Sequence, residues 1–247
     1  MAARALPEAP GTDITPVAAL MADRTRATML IALLGGRPLA AGELARMAGV
    51  SAATASAHLA RLLDGGLVTV ITQGRHRYYE LAGRQVAAAI EALSYLGPAL
   101  PVRSLRQSRQ AEALAEARTC YDHLAGRAGV ALLDSLLARG LLIADTAGET
   151  AADGSELPEY EVTPAGQASL ARFGVDTGDL RRQRRRFAGA CLDWTQRRPH
   201  LNGALGAAIT ARLLELAWLE PGPHRRAVRI TPAGRDGLTA TFGWAAS

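Results

Sequence analysis

Apolar positions along the chain fall into short periodic runs punctuated by glycine and proline. In residues 24–34 (RTRATMLIALL), Met29, Leu30, Leu33 and Leu34 recur at helical spacing and predict a core-facing helix. A short stretch, 41–48 (AGELARMA), predicts a second. Gly49 turns the chain, and the Ser51 hydroxyl can accept from the free N–H groups of a third helix, 52–64 (AATASAHLARLLD), which stops at Gly65-Gly66. On that helix Ala55, Leu59, Leu62 and Leu63 share one face, expected to bury against Leu44 and Met47. Strand-like runs follow: 67–72 (LVTVIT) and 76–81 (HRYYEL) predict two strands around Gln73-Gly74-Arg75. Residues 84–96 (RQVAAAIEALSYL) return to helix, and two prolines and a glycine at 97–101 mark a boundary.

Helix, short helix, tight turn, capped helix and basic hairpin is the order of a winged helix-turn-helix, in which two helices brace a third that offers small polar side chains to a DNA groove. Residues 17–96 resemble the arsenic-repressor (ArsR/SmtB-like) family of bacterial repressors, through ADRTRATMLIALL, GELARMAGVSAATASAHLARLLDGGLV and GRHRYYEL. The resemblance implies a homodimer, pairing through the first and last helices of this unit, on double-stranded operator DNA. It carries Ser51, Thr54, Ser56 and His58, with Arg61 beside them, to the groove-facing surface. Arg75, His76 and Arg77 go to the wing, and Arg26 to a phosphate-proximal helix start. The competing reading of His58 is packing or capping within the motif. Ala52, Ala53 and Ala57 offer no hydrogen bonds to bases, which gives DNA shape more weight. Two departures from the family matter: AGELARMA lacks a cysteine pair, and the last helix offers only Glu91, so neither familiar metal site is present.

The second half repeats itself. Cys120-Tyr121-Asp122, with Arg127, and Cys191-Leu192-Asp193, with Arg198, share the spacing C-x-D-x4-R, with Trp194 standing where the first copy has His123. Each copy continues into a leucine-rich helix (130–138 and 204–216) and closes on a strand ending in T-P-A-G, at 160–166 and 228–234. Thr163 and Thr231 are placed to cap helices that open on Pro164 and Pro232. The expected architecture is mainly α with small β wings. It comprises a flexible N-terminus (1–16), a winged helix-turn-helix (17–98) and a sensor or dimerisation domain (102–247) of two degenerate winged-helix-like repeats, 104–175 and 179–245. An acidic, mobile loop is expected at 144–159.

Composition narrows the class further. The 247 residues include 28 basic side chains against 23 acidic ones, every basic one an arginine. Abundant Ala, Gly and Arg fit a GC-rich genome, while a net charge of +5 favours a polyanionic partner. Two cysteines make no disulfide scaffold, and no apolar run is long enough to span a membrane or to form a signal peptide, which gives a cytoplasmic expectation.

Among chemistry-bearing residues, Cys120, His123, Cys191, Trp194 and His200 are the effector candidates. Cys120 and His123 are expected one helical turn apart, facing one pocket with Cys191 or His200. Such a site would hold a metal or haem, or form a redox switch; otherwise the cysteines are small core residues. Trp194, Trp218, Tyr121 and Phe187 either line an apolar ligand pocket between the repeats or are core. The arginine run 181–186 either follows DNA or is a solvated helix face. No nucleophile elbow or phosphate-cradling loop is present, and thiol chemistry at Cys120 is the one enzyme reading the sequence offers. The function expected is a sequence-specific DNA-binding repressor, released by a small-molecule or redox effector sensed in the C-terminal half.

Overall fold

The computed structural model describes residues 12–74, 76–98, 101, 104–145 and 157–245. The chain forms two compact units, the first built from residues 1–33 and 38–83 and the second from 34–37 and 84–247.

In the first unit, α1 (Thr15–Ala22) and α2 (Arg24–Leu33) lead through the two-residue strand β1 (Leu39–Ala40) into α3 (Ala41–Ala48) and α4 (Ala52–Asp64). The antiparallel hairpin β2 (Val68–Gln73) and β3 (His76–Leu81) follows. Strand β1 adds to β3, giving the order β1-β3-β2. Local chemistry sets each boundary. The Ala40 N–H donates to Glu43 Oε2 at the start of α3, and Gly49 ends that helix in the left-handed region, at φ 67°. Ser51 Oγ accepts from the Thr54 N–H at 3.1 Å and caps α4. Met29, Leu30 and Leu33 of α2, Leu44 of α3 and Ala55, Leu59 and Leu62 of α4 are fully or almost fully buried. Leu63 is only half-buried, and Met47, expected in this core, is 42% exposed. A single turn of shift decides this: Leu44, three residues earlier on the eight-residue α3, already faces α4.

The second unit opens with α5 (Arg84–Leu96) and α6 (Leu105–Glu116). A run of hairpin, helix, hairpin and helix follows: β4 (Arg118–Cys120), β5 (His123–Ala125), α7 (Arg127–Ala138), β6 (Leu142–Asp145), β7 (Glu159–Val162) and α8 (Pro164–Phe173). After the short α9 (Thr177–Arg181) the same order recurs: β8 (Gly189–Leu192), β9 (Pro199–Asn202), α10 (Gly203–Glu215), β10 (Leu219–Pro221), β11 (Val228–Ile230) and α11 (Pro232–Phe242). Strands β6-β7-β8-β9 form one antiparallel sheet, which ties the two runs together. Thr163 and Thr231 cap α8 and α11 by accepting from the Gly166 and Gly234 N–H groups, and Pro164 and Pro232 open those helices. Leu132, Leu133 and Leu136 of α7, Leu205, Ile209 and Leu213 of α10, Phe173 and Phe242 fill the core.

Helix α5 belongs to this unit, beyond a first unit that ends at Gly83 rather than at the 97–101 break. Its Glu91 is buried and ion-paired to Arg226, which joins α5 to the β10–β11 connection. The N-terminal segment is already helical from Thr15. Most of the expected mobile loop, 146–156, lies outside the described residues. No described helix is long and apolar enough to cross a membrane.

Candidate functional site

Two groups of side chains carry chemistry, one in each unit. In the first, α4 buries Ala55, Leu59 and Leu62 and leaves Ala52, Ala53, Thr54, Ser56, Ala57 and Arg61 exposed. Ser51 and Thr54 share a hydroxyl hydrogen bond of 2.9 Å, so the cap and the neighbouring candidate are linked. His58 is half-buried, with Nδ1 3.6 Å from Asp23 Oδ1, which is the packing alternative for this residue. Arg26 departs from its expected place. Its guanidinium donates to the carbonyls of Leu20 at 2.7 Å and Ala19 at 3.0 Å, closing the end of α1, and the residue is buried. Free carbonyls at a helix terminus attract a nearby cation more strongly than solvent does. At the hairpin end, Gln73, His76 and Arg77 are exposed, while Arg75 lies outside the described residues.

The second group lies on the hairpins β4–β5 and β8–β9. Cys120 and His123 are not one helical turn apart; they are cross-strand partners, and Cys191 faces His200 in the same way. Trp194 is therefore not the counterpart of His123. The β8–β9 turn is longer, and the match resumes after it as His123-Leu124-Ala125-Gly126 and His200-Leu201-Asn202-Gly203, each followed by a helical glycine, Gly129 or Gly206. That repeated H-L-x-G-x-x-G was the signal available in the sequence, and the fixed C-x-D-x4-R spacing concealed it.

The two cysteine sulfurs lie 3.9 Å apart, and the two imidazoles stack at 5.1 Å between centroids. Cys120, His123 and His200 are buried and Cys191 is half-buried. The hydrogen bond with Cys191, and burial after it, push the Cys120 thiol well above its ordinary range. Burial, reinforced by His123 beside it, pulls His200 well below the usual histidine range.

Two aspartates stand behind the imidazoles. Asp122 Oδ1 is 3.2 Å from His123 Nδ1 and is held from its other oxygen by Arg185 at 3.0 Å. Asp193 Oδ2 is 3.7 Å from His200 Nδ1. Asp193 is fully buried and accepts from the N–H groups of Gly126, Thr195 and Gln196, from the Thr195 hydroxyl, and from the fully buried Arg118. Burial alone would raise its carboxyl; Arg118 and these donors outweigh it and hold the group far below the usual carboxylate range.

A cavity of about 400 Å³ adjoins the cluster, and its lining includes Cys120, His123 and Cys191 together with Arg84, Arg184 and Arg185. The arginine run is not one helix face. Arg182 pairs with Asp179, Arg185 with Asp122 and Arg186 with Glu159, and Arg181 lies over the Phe187 ring. The aromatic candidates do not converge on one pocket either. Trp194 stacks on Arg118, Trp218 packs by Phe173, and Tyr121, at φ 59° in the β4–β5 turn, borders the cavity.

The chain is similar to several known proteins. A model described as a helix-turn-helix domain matches residues 21–71. The HTH-type transcriptional regulator YdfF of Bacillus subtilis is 40% identical over 223 residues, 90% of this chain and 94% of its own. YgaV of Escherichia coli, also an HTH-type transcriptional regulator, is 36% identical over 66 residues, 26% of this chain and 67% of its own. Among solved structures, HlyU from Vibrio cholerae is 33% identical and covers 33% of this chain and 88% of its own, with a TM-score of 0.32.

Proposed function

Since the chain belongs to the family of helix-turn-helix transcriptional regulators that includes YdfF, we propose that it is a homodimeric, operator-binding repressor of the ArsR type whose second unit senses an effector. The observation that carries this reading is the outer face of α4, where Thr54 and Ser56 stand exposed among alanines directly after a capped tight turn. Small hydroxyls on a helix of this kind reach base edges without filling the groove. His76 and Arg77 at the exposed hairpin end supply backbone or minor-groove contacts, with Arg61 at the far end of α4.

Residues 104–175 and 179–245 are, on this reading, two winged-helix-like units descended from one duplicated module. The recurring element order, the paired threonine caps and the repeated H-L-x-G-x-x-G support it. Neither copy suits a groove, because α7 is apolar and mostly buried. They serve instead as a sensor and dimer platform. An effector acts by binding the DNA-competent and DNA-free states of the dimer with different affinity.

The test is a titration of DNA from the region upstream of its own gene. Thr54→Ala with Ser56→Ala is expected to lower affinity for the preferred site about 10–100-fold, the two single hydroxyl contacts together amounting to about one good bidentate pair at about 1–3 kcal/mol, while non-specific binding persists. Unchanged sequence preference would remove α4 as the reading helix. Arg77→Ala is expected to act differently, weakening all sequences alike and reducing the slope of log affinity against log salt by about 1, the signature of one lost phosphate contact. Anisotropy titrations at several salt concentrations separate the two effects.

A further inference from the structure

Two hairpins in the second unit each present a cysteine opposite a histidine, and all four side chains turn toward one point. A sulfur from each of Cys120 and Cys191 and a ring nitrogen from each of His123 and His200 lie within 4.8 Å of one another. We propose that these four residues bind one zinc ion in a closed tetrahedral Cys2His2 site, which clasps the hairpin β4–β5 to the hairpin β8–β9.

Three independent observations carry the assignment. The first is distance. Sulfurs bound at about 2.3 Å to a tetrahedral centre sit about 3.8 Å apart, and mixed sulfur and nitrogen edges are a few tenths shorter. The two sulfurs are already at 3.9 Å, so the site closes on a metal by drawing the imidazoles inward by about 1 Å. A disulfide would instead need the sulfurs to close to about 2.05 Å.

The second is unsatisfied polarity. Nε2 of both His123 and His200 is buried without a hydrogen-bond partner among the described residues. Buried ring nitrogens without partners are costly, and a metal satisfies both at once.

The third is the layer behind the ligands. Nδ1 of His123 is in hydrogen-bond contact with Asp122 at 3.2 Å, whereas Nδ1 of His200 stands 3.7 Å from Asp193, beyond hydrogen-bond reach, and has no partner among the described residues. At His123 the Asp122 carboxylate on one ring nitrogen fixes the tautomer and aims the other at a metal, the arrangement that supports histidine ligands in zinc sites; at His200 the Asp193 carboxylate supplies only a nearby negative charge. Each aspartate stands two residues after its cysteine, Asp122 after Cys120 and Asp193 after Cys191.

The donor set selects the metal. Two thiolates and two imidazoles in tetrahedral array suit zinc, and the cluster contains no carboxylate among the described residues, which disfavours oxygen-seeking ions. Loading releases the two thiol protons, and the two thiolates neutralise the dication, so the buried site carries no net charge. With four protein ligands it has no position left for water, which makes it structural or regulatory rather than hydrolytic. The neighbouring cavity gives the ion a route in, past the half-buried Cys191. The site goes beyond the DNA-binding reading and stands apart from it, since every residue lies in the second unit.

The experiment uses the full chain, stripped with chelator and reduced. Titration with Co2+ is expected to give the visible bands and thiolate charge-transfer absorption of a tetrahedral sulfur–nitrogen site, saturating at one equivalent and bleached by Zn2+. Zinc is expected to protect both thiols from a thiol reagent and to raise the unfolding temperature of wild type. Cys191→Ser weakens the charge-transfer band to at most what the remaining Cys120 thiolate contributes, and Asp122→Asn, which keeps all four ligands, weakens zinc binding about 10–100-fold. Wild type alone can overturn the proposal. Octahedral cobalt spectra, thiols equally reactive with and without zinc, or a Cys120–Cys191 disulfide in a reduced-and-reoxidised chain that takes up no metal would each do so.

Discussion

Asp193→Asn is expected to destabilise the second unit by about 3–5 kcal/mol, the cost of leaving a buried charge without its partner. Arg118 is the charge in question. It is fully buried, its NH2 lies 2.9 Å from Asp193 Oδ2, and its remaining contacts are the Leu114 carbonyl, the Thr195 hydroxyl and the Trp194 ring. Asp193 in turn gathers N–H groups from two segments far apart in sequence, Gly126 at the start of α7 and Thr195 and Gln196 in the β8–β9 turn. An amide keeps some of these bonds but not the charge, so the guanidinium remains desolvated and uncompensated. All three tryptophans lie in the second unit, so urea unfolding followed by tryptophan fluorescence reads this unit alone. Adding Arg118→Met to Asp193→Asn should recover a measurable part of the loss, because the orphaned charge is then gone. A loss below about 1 kcal/mol for Asp193→Asn, or no coupling in the double variant, would show that solvent reaches the pair and that it behaves as a surface salt bridge.

The fold of the first unit was legible because its signals are local. Ser51, Gly49 and Gly65-Gly66 are boundary residues that act on their own neighbours, and α3 and α4 begin and end at the expected residues. Arg26 was misplaced because its role depends on where α1 ends, and α1 carries no sharp periodic stripe in the sequence. In the second unit the repeat expected from Cys, Asp and T-P-A-G does not carry the hairpin register with it. The longer β8–β9 turn shifts His200 relative to Cys191, so a fixed spacing pairs His123 with Trp194, while the hairpin register pairs His123 and His200 across from their cysteines. Helical spacing was a reasonable frame for C-x-x-H, yet a tight turn with Tyr121 at φ 59° makes the same spacing a cross-strand pair. Long-range partners such as Arg118 with Asp193 leave no local trace.

Gly129→Ala and Gly206→Ala are each expected to cost about 3 kcal/mol, the upper end of what overpacking a core costs, and to disturb the cysteine–histidine cluster at the same time. Both glycines are helical, so backbone strain is not the issue; space is. A Cβ on Gly129 would meet the Leu124 carbonyl inside any normal contact distance, and one on Gly206 would lie 2.6 Å from the Leu201 carbonyl oxygen. These are backbone atoms of the same H-L-x-G-x-x-G segment, and they cannot swing aside as a side-chain tip can. The same added carbons would sit 3.6 Å from the His200 Cβ and 3.4 Å from the His123 Cβ, so each helix packs against the histidine of the other hairpin. Displacing either helix therefore pushes on the opposite imidazole. The paired readouts are the urea midpoint by tryptophan fluorescence and the rate at which buried Cys120 reacts with a thiol reagent, the first falling and the second rising in both variants. If the midpoint falls with no change in Cys120 reactivity, the crossed packing between helix and histidine is too loose to hold the cluster. If neither moves, the close approach of helix to hairpin at these two glycines is not a feature of the folded chain.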